Sequence, residues 1–164
     1  TGKHGIVHEV SVTDSNLRRI INRCDELPGR MLFQYVNGDG VPQPVTSSDV
    51  NNYIKQATGG DFTAKHFRTW GASVIAFEQL LASDAARISV KTMIEPVAEA
   101  LGNTVAISRK SYVHPRLIEA VREAPADPLK GLKRPRARKR LSSAETAFLA
   151  YLKKKPRKSR RKAA

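Results

Sequence analysis

The sequence predicts a mainly α-helical protein of the α+β class, with a small β element near its start. Apolar residues recur at steps of three and four in several segments, which is the spacing of one helical face. These segments are bounded by capping residues and by Gly or Pro, and one short β-branched stretch precedes them all. With 164 residues and 40% hydrophobic content, the chain is long enough for one domain plus a tail.

The first third of the chain predicts a strand, a helix and a turn. Residues 6–12 are rich in Val and Ile and predict the strand. Asp14 is expected to cap a helix that Pro28-Gly29 ends, because a carboxylate there can accept from the first free backbone N–H groups. Residues 31–35 predict a short extended segment, and residues 37–40, Asn-Gly-Asp-Gly, predict a turn.

Three helical regions are predicted between residues 47 and 101. Ser47 or Ser48 is expected to cap a helix that ends at Gly59-Gly60. Its expected buried face consists of Val50, Tyr53, Ile54 and Ala57. A long helix is predicted from residue 63 to about 82, with an apolar stripe that includes Phe67 and Trp70, both assigned to the core. Residues 90–101 predict another helix, which Pro96 is expected to kink or divide.

A break at residues 102–104 precedes the last helices of the body. One is predicted over residues 107–113 and another after Pro115. Prolines at 125, 128 and 135 predict a linker, so we expect the domain to comprise residues 1–129 and a flexible tail to comprise 130–164. Within the tail, Ser142 and Glu145 form a possible capping box, which predicts a short helix near 143–154 that could become ordered only on binding.

The excess of positive over negative charge lies entirely in this tail. Residues 1–129 hold 14 Lys/Arg and 14 Asp/Glu, whereas residues 130–164 hold 15 Lys/Arg and one acid. A block of one sign repels itself unless a polyanion neutralises it, which favours nucleic acid over a merely solubilising tail. The tail residues expected to contact DNA are Lys133, Arg134, Arg136, Arg138, Lys139 and Arg140.

Other classes of protein are disfavoured. No apolar run is long enough to span a membrane, and the first residues lack the apolar stretch of a signal peptide. A lone cysteine, Cys24, fits a reducing cytoplasm. Four histidines without ligand spacing predict no metal site, and the absence of a Walker-type loop predicts no ATP cofactor.

Residues suited to phosphate chemistry lie near the predicted breaks: Lys3, Lys65, Arg68 and the run Arg109-Lys110-Ser111-Tyr112. Metal-free cleavage of a phosphodiester needs a nucleophile, donors to the nonbridging oxygens, and an acid for the leaving oxygen. Tyr, Arg and Lys can supply these functions. Composition alone leaves the assignment open, because any basic domain has a Tyr near an Arg.

Four segments together resemble the type IB DNA topoisomerases of the bacterial and poxvirus-like kind. They are residues 2–8 (Gly-Lys-His-Gly-Ile-Val-His), residues 27–35 (Leu-Pro-Gly-Arg-Met-Leu-Phe-Gln-Tyr), residues 49–53 with 61–70, and residues 101–104 with 108–115. The resemblance runs from residue 2 to about 124. It implies a helical catalytic lobe, and relaxation of supercoiled double-stranded DNA by a monomer through a 3′-phosphotyrosyl intermediate, in a bacterial cytoplasm at the nucleoid.

The resemblance also implies the roles of individual residues. Tyr112 would be the nucleophile, Arg68 would donate to the nonbridging oxygens, and Lys3 would protonate the leaving 5′ oxygen. Asn103 stands where many relatives have a phosphate-binding His. Lys65, Arg109 and Lys110 are expected to contact backbone phosphates.

One departure and two alternatives accompany this assignment. The family has a further arginine upstream of the lysine strand and a separate N-terminal domain, so we expect this chain to be a fragment with little activity alone. A tyrosine recombinase shares the chemistry, but recombinases usually have His-x-x-Arg, and here Lys65 stands three residues before Arg68. The other alternative is a non-enzymatic basic DNA-binding module.

Overall fold

The computed structural model of the chain describes residues 11–83, 88–122, 129, 135–138 and 140–154. Its elements are α1 (Ser15–Asp25), β1 (Gln34–Val36), β2 (Pro42–Pro44), α2 (Ser47–Thr58), α3 (Ala64–Ala82), α4 (Val90–Leu101), α5 (Val105–Ser111), α6 (Pro115–Arg122) and α7 (Ser143–Lys153). Helices dominate and the sheet has two strands, which confirms the predicted mainly α class. Within the described ranges, no helix combines the length and apolar character needed to cross a membrane. The chain divides into two compact units, residues 1–64 and 65–164.

The first unit contains α1, the hairpin and α2. Asp14 caps α1 as predicted, accepting from the backbone N–H of Leu17 at 2.8 Å. The predicted turn joins the two antiparallel strands, and the Asn37 side chain closes it by accepting from the N–H groups of Asp39 and Val41 at 3.1 and 2.9 Å. The strand predicted over 6–12 falls mainly on residues 1–10, which lie outside the described residues.

Two predictions for α2 are wrong. The helix is capped by Thr46 rather than by Ser47 or Ser48, because Thr46 and Asp49 form a reciprocal capping box. The face expected to be buried is largely exposed, with Val50 at 41% and Tyr53 at 71% of their accessible surface. Apolar spacing identifies a face, but burial requires a second element to cover it.

The core of the second unit is built by four helices. Its fully buried side chains come from α3 (Phe77, Leu80), α4 (Met93, Ile94, Val97), α6 (Leu117) and α7 (Phe148). Trp70 packs against this cluster as predicted, but Phe67 is 59% exposed, so its assignment to the core is wrong. The buried face of α3 is centred on Ala72, Ala76 and Leu80 beside Phe77, because small residues let the neighbouring helices approach closely.

Helix α7 differs from the flexible tail that we expected. Its capping box and its bounds are close to the prediction, but Ala147, Phe148 and Tyr151 are buried in the same cluster as Phe77. The ring of Phe148 lies 5.1 Å from that of Phe77 and 5.3 Å from that of Trp70, measured between centroids. The predicted domain limit near residue 129 therefore does not separate this helix from the body. Burial of aromatic surface, which stabilises the folded state, explains why it packs although it follows a basic, Pro-containing segment.

The region between α4 and α6 also departs from the predicted bounds. Residues 90–101 form one helix that includes Pro96, rather than two helices. Gly102 ends α4 in the left-handed region (φ 62°), as the break at 102–104 predicted. Helix α5 begins two residues earlier than predicted, because Thr104 caps it, and it stops at Ser111 rather than at Val113. Tyr112 consequently lies at the very end of a short helix.

Candidate active site

Arg68 lies in the second turn of α3 and reaches the C-terminus of α4. Its Nη2 donates to the backbone carbonyl of Leu101 at 2.6 Å. The last carbonyls of a helix lack partners within the helix and carry partial negative charge, so a guanidinium is stabilised there. The side chain stays exposed, and only one of the five N–H donors of a guanidinium is used in this bond.

Tyr112 is the C-terminal cap of α5 and is partly buried. Its backbone N–H donates to the carbonyl of Ser108 at 3.0 Å, which continues the helical pattern for one more residue. The ring of Tyr112 lies beneath the guanidinium of Arg68, with 5.2 Å between Cζ and the ring centroid. This distance is within the range of a cation–π interaction. The structure thus brings together two of the residues predicted for catalysis, from distant parts of the chain.

Asn103 follows the left-handed Gly102 and is two residues from the carbonyl that Arg68 contacts. Its backbone N–H donates to the carbonyl of Ala98 at 2.9 Å, which holds the residue against the end of α4. The side-chain Nδ2 is buried, and no residue in the described part of the chain accepts a hydrogen bond from it. Leaving a buried donor unpaired costs about 1–3 kcal/mol, so an external acceptor that reached this nitrogen would stabilise it.

The predicted phosphate contacts of the helical lobe are exposed cations. Lys65 is exposed in the first turn of α3. Arg109 and Lys110 are exposed in the last turn of α5, where they line a shallow groove together with Arg122 and Glu119 of α6. Among the described residues, none of the three forms a salt bridge with an acid.

Part of the predicted site lies outside the described residues, namely Lys3, Lys133, Arg134 and Lys139. The remaining tail residues, Arg136, Arg138 and Arg140, are exposed. Arg138 exchanges two backbone hydrogen bonds with Leu141, at 2.9 and 3.0 Å, and Arg140 between them has a positive φ of 75°. Arg138 and Leu141 are thus paired immediately before α7, and among the described residues no hydrogen bond joins Arg136, Arg138 or Arg140 to Arg68 or Tyr112.

Sequence reasoning missed Ser73, which is 2% exposed on α3. Its Oγ lies 2.8 Å from the carbonyl of Thr69 and 3.2 Å from the carbonyl of Tyr112, and it accepts from the backbone N–H of His114 at 3.0 Å. A hydroxyl at a buried position of an apolar helical face was the available signal, since buried polar groups are almost always paired.

Sequence reasoning also missed the contacts that join α7 to this region. The indole N–H of Trp70 donates to Glu145 Oε1 at 2.9 Å, and this bond and the capping contacts of Ser142 lower the pKa of Glu145. Arg116 of α6 donates to the carbonyls of Leu152 and Lys154 at 2.7 and 2.8 Å, at the C-terminal end of α7. Helix α7 is therefore tied at one end to the helix that carries Arg68 and at the other to the helix that follows Tyr112.

His114, two residues after the tyrosine, has a lowered pKa. Its partial burial is the main cause and the charge of Arg116 adds to it, against an opposing effect of Glu119. Its Nδ1 accepts from the backbone N–H of Arg116 at 3.2 Å, which requires an unprotonated nitrogen. The neutral imidazole is therefore part of the start of α6. Within the described residues, no cluster of three His, Cys or acidic side chains could hold a metal ion.

Comparison with known proteins identifies the family to which this chain belongs. A family model described as eukaryotic DNA topoisomerase I, catalytic core, matches residues 1–133. The chain belongs to this family. The DNA topoisomerase 1B of Acanthamoeba polyphaga mimivirus is 34% identical to it over 113 residues, which cover 61% of this chain. The aligned region covers 34% of the viral protein, so the chain spans about a third of the length of that relative.

Proposed function

We propose that this chain carries the nucleophile of a DNA-relaxing enzyme, and that Tyr112 cuts one strand of duplex DNA. The observation that carries the proposal is the contact between Arg68 and the ring of Tyr112. Family membership supports topoisomerase chemistry in general, and this contact supports the particular residues. An exposed arginine and a partly buried tyrosine from different helices are therefore in contact.

The proposed step is an in-line substitution at phosphorus. The phenol oxygen of Tyr112 forms a bond to the phosphorus as its proton passes to solvent water, and the bond from phosphorus to the 5′ oxygen breaks. Arg68 has four N–H donors left after its bond to Leu101, and these suit the two nonbridging oxygens, whose negative charge increases in the transition state. Lys3 is proposed to protonate the departing 5′ oxygen.

The unpaired amide of Asn103 is proposed to donate to a phosphate oxygen. Its Nδ2 is buried without an acceptor, and a bound phosphate would remove that unfavourable state. An amide gives a neutral hydrogen bond where the related His would give a charged one, so its contribution is expected to be smaller.

The covalent intermediate makes an external energy source unnecessary. The phosphotyrosyl bond retains the energy of the broken linkage, so the freed 5′ hydroxyl can reverse the reaction without ATP or a metal ion after the strand has rotated. The exposed cations Lys65, Arg109 and Lys110, with the basic segment 130–164, are proposed to hold the DNA backbone. Affinity from such contacts falls steeply with salt.

The wider assignment rests on the same proposal. We propose that the active unit is a monomer that acts on double-stranded DNA. We also propose that the protein is bacterial and is located at the nucleoid. Because the aligned region covers only 34% of the viral relative, the activity assay should use both the 164-residue chain and the longest protein that contains it.

The test is the capture of a covalent adduct. Incubation with a labelled duplex nicked just downstream of the cleaved position lets the short 5′-hydroxyl fragment diffuse away, which traps the protein on the DNA. Tyr112→Phe should abolish the adduct, because it removes the attacking oxygen. Tyr53→Phe is the matched control, since Tyr53 is 71% exposed on α2, and it should retain the adduct.

Three outcomes would reject the proposal. If the Tyr112→Phe protein still forms the adduct, another residue is the nucleophile. If the longest protein forms no adduct and leaves supercoiled plasmid unchanged, the chain is a DNA-binding module instead. Strand exchange at defined sites without general relaxation would assign a recombinase.

A further inference from the structure

The segment that carries Tyr112 needs partners that its own helices do not supply. Helix α5 ends at Ser111 and α6 begins at Pro115, so residues 112–114 form a three-residue connection between them. The side chain of Val113 is buried in the core, which draws this connection inward. Backbone groups that are drawn away from water are nearly always paired in folded proteins.

Ser73 supplies those partners from α3. Its Oγ accepts from the N–H of His114 at 3.0 Å and lies 3.2 Å from the carbonyl of Tyr112. One hydroxyl therefore contacts the backbone on both sides of Val113. Its single proton can be donated either to the Tyr112 carbonyl or to the carbonyl of Thr69 at 2.8 Å, while the bond from His114 persists in both arrangements.

Ser73 and Arg68 lie on the same helix, and this makes the contact relevant to chemistry. Arg68 is in the second turn of α3 and Ser73 follows it by little more than one turn. A rigid helix thus fixes the guanidinium at one place and the backbone of the tyrosine at another. The distance between the guanidinium and the phenol ring depends on both attachments.

We propose that Ser73 is a positioning residue, whose hydroxyl sets the placement of Tyr112 relative to Arg68. This inference rests on the proposed function, because it assigns Ser73 a part in the reaction of Tyr112. Ser73 does not touch the DNA. A displacement of about 1 Å in a reacting group can lower a rate about 10²-fold, so a single buried hydroxyl can have a large effect on the cleavage rate.

The test compares two buried serines of the same unit. Ser73→Ala removes the hydroxyl that ties the segment to α3. Ser108→Ala is the matched control, because Ser108 is fully buried and its Oγ has no partner within the described residues. Ser73→Thr restores a hydroxyl on the same helix.

Cleavage is measured in a single turnover on the nicked duplex, and DNA affinity is measured separately. We expect Ser73→Ala to reduce the cleavage rate by about 10- to 100-fold with DNA affinity changed less than twofold. Ser73→Thr should recover most of the rate, and Ser108→Ala should match the wild type. A Ser73→Ala rate equal to the wild type overturns the inference, and so does a parallel loss of rate, affinity and thermal stability.

Hydrogen exchange of the His114 amide, followed by NMR, tests the structural part without any activity. Exchange should be faster in Ser73→Ala than in the wild type and unchanged in Ser108→Ala, because only Ser73 accepts from this N–H. Unchanged exchange in Ser73→Ala refutes the inference even where the wild type forms the adduct. If the longest protein that contains the wild-type chain forms no adduct, the proposed function is refuted, and with it any catalytic role for Ser73.

Discussion

Replacing Phe148 with Ala tests whether α7 belongs to the folded body. The side chain is 1% exposed and lies between the rings of Trp70, Phe77 and Tyr151, at centroid distances of 5.3, 5.1 and 6.4 Å. Truncation of a buried Phe to Ala costs about 3–5 kcal/mol, as the sum of lost transfer free energy and the cavity that remains.

Phe67→Ala is the matched control, because the same atoms are removed from another helix. Phe67 is 59% exposed on α3, so it gains little from burial in the folded state. The expected change in unfolding free energy is within about 1 kcal/mol, and the slightly better helix propensity of Ala offsets part of it. The difference between the two variants therefore isolates the burial of Phe148.

The assay is urea unfolding followed by the fluorescence of Trp70, the single tryptophan of the chain. With a slope of about 2 kcal/mol per M urea, a loss of about 4 kcal/mol lowers the midpoint by about 2 M. Because the indole also donates to Glu145 of α7, its emission should change when that helix is loosened. Equal midpoints for the two variants, with unchanged emission, would refute the packing of α7 and favour a domain that ends near residue 129.

Two further predictions concern the neighbourhood of the tyrosine. Asn103→Ala should reduce the rate of adduct formation about 10²-fold. Thermal stability should stay the same or increase, because the variant removes a buried donor that has no acceptor among the described residues. A destabilised variant with a normal rate would contradict this prediction. His114 should make stability fall with decreasing pH, because its pKa is lowered in the folded state from the ordinary value of 6.5, so the unfolded chain takes up the proton first. This contribution to the free energy of unfolding is fully present above pH 6.5 and is lost as the pH falls below it. The free energy of unfolding of His114→Gln should therefore change less between pH 7 and pH 5 than that of the wild type. An identical dependence in the two proteins would remove His114 as its source.

The helix boundaries were predictable where the signals are local. Asp14 caps α1, residues 90–101 form α4, and Gly102 ends that helix, as the sequence predicted. Capping depends on groups within three or four residues of each other, so the sequence contains the whole interaction. The errors in the predicted helix boundaries were only one or two residues. The cap of α2 is Thr46 rather than Ser47 or Ser48, and α5, capped by Thr104, begins two residues before the predicted start.

Burial was less predictable, because it depends on elements that are distant along the chain. The apolar stripe of α3 predicted burial for both Phe67 and Trp70, but only Trp70 packs against a residue of α7. Val50 and Tyr53 have helical spacing in α2 and remain exposed. The prolines at 125, 128 and 135 led to the expectation of a linker and a flexible tail, whereas the buried aromatic residues of α7 make part of that tail structural.

For the candidate site, the sequence by itself determined the chemical inventory: a tyrosine, an arginine and an asparagine in segments whose order resembles one family. Only the tertiary structure decided that the Arg68 guanidinium covers the Tyr112 ring, that the buried amide of Asn103 has no acceptor among the described residues, and that Ser73 holds the backbone of residues 112–114. The physical reason is the range of the interactions. Residue type and local spacing are properties of neighbouring positions, whereas these contacts join helices that meet only after the core between them has packed.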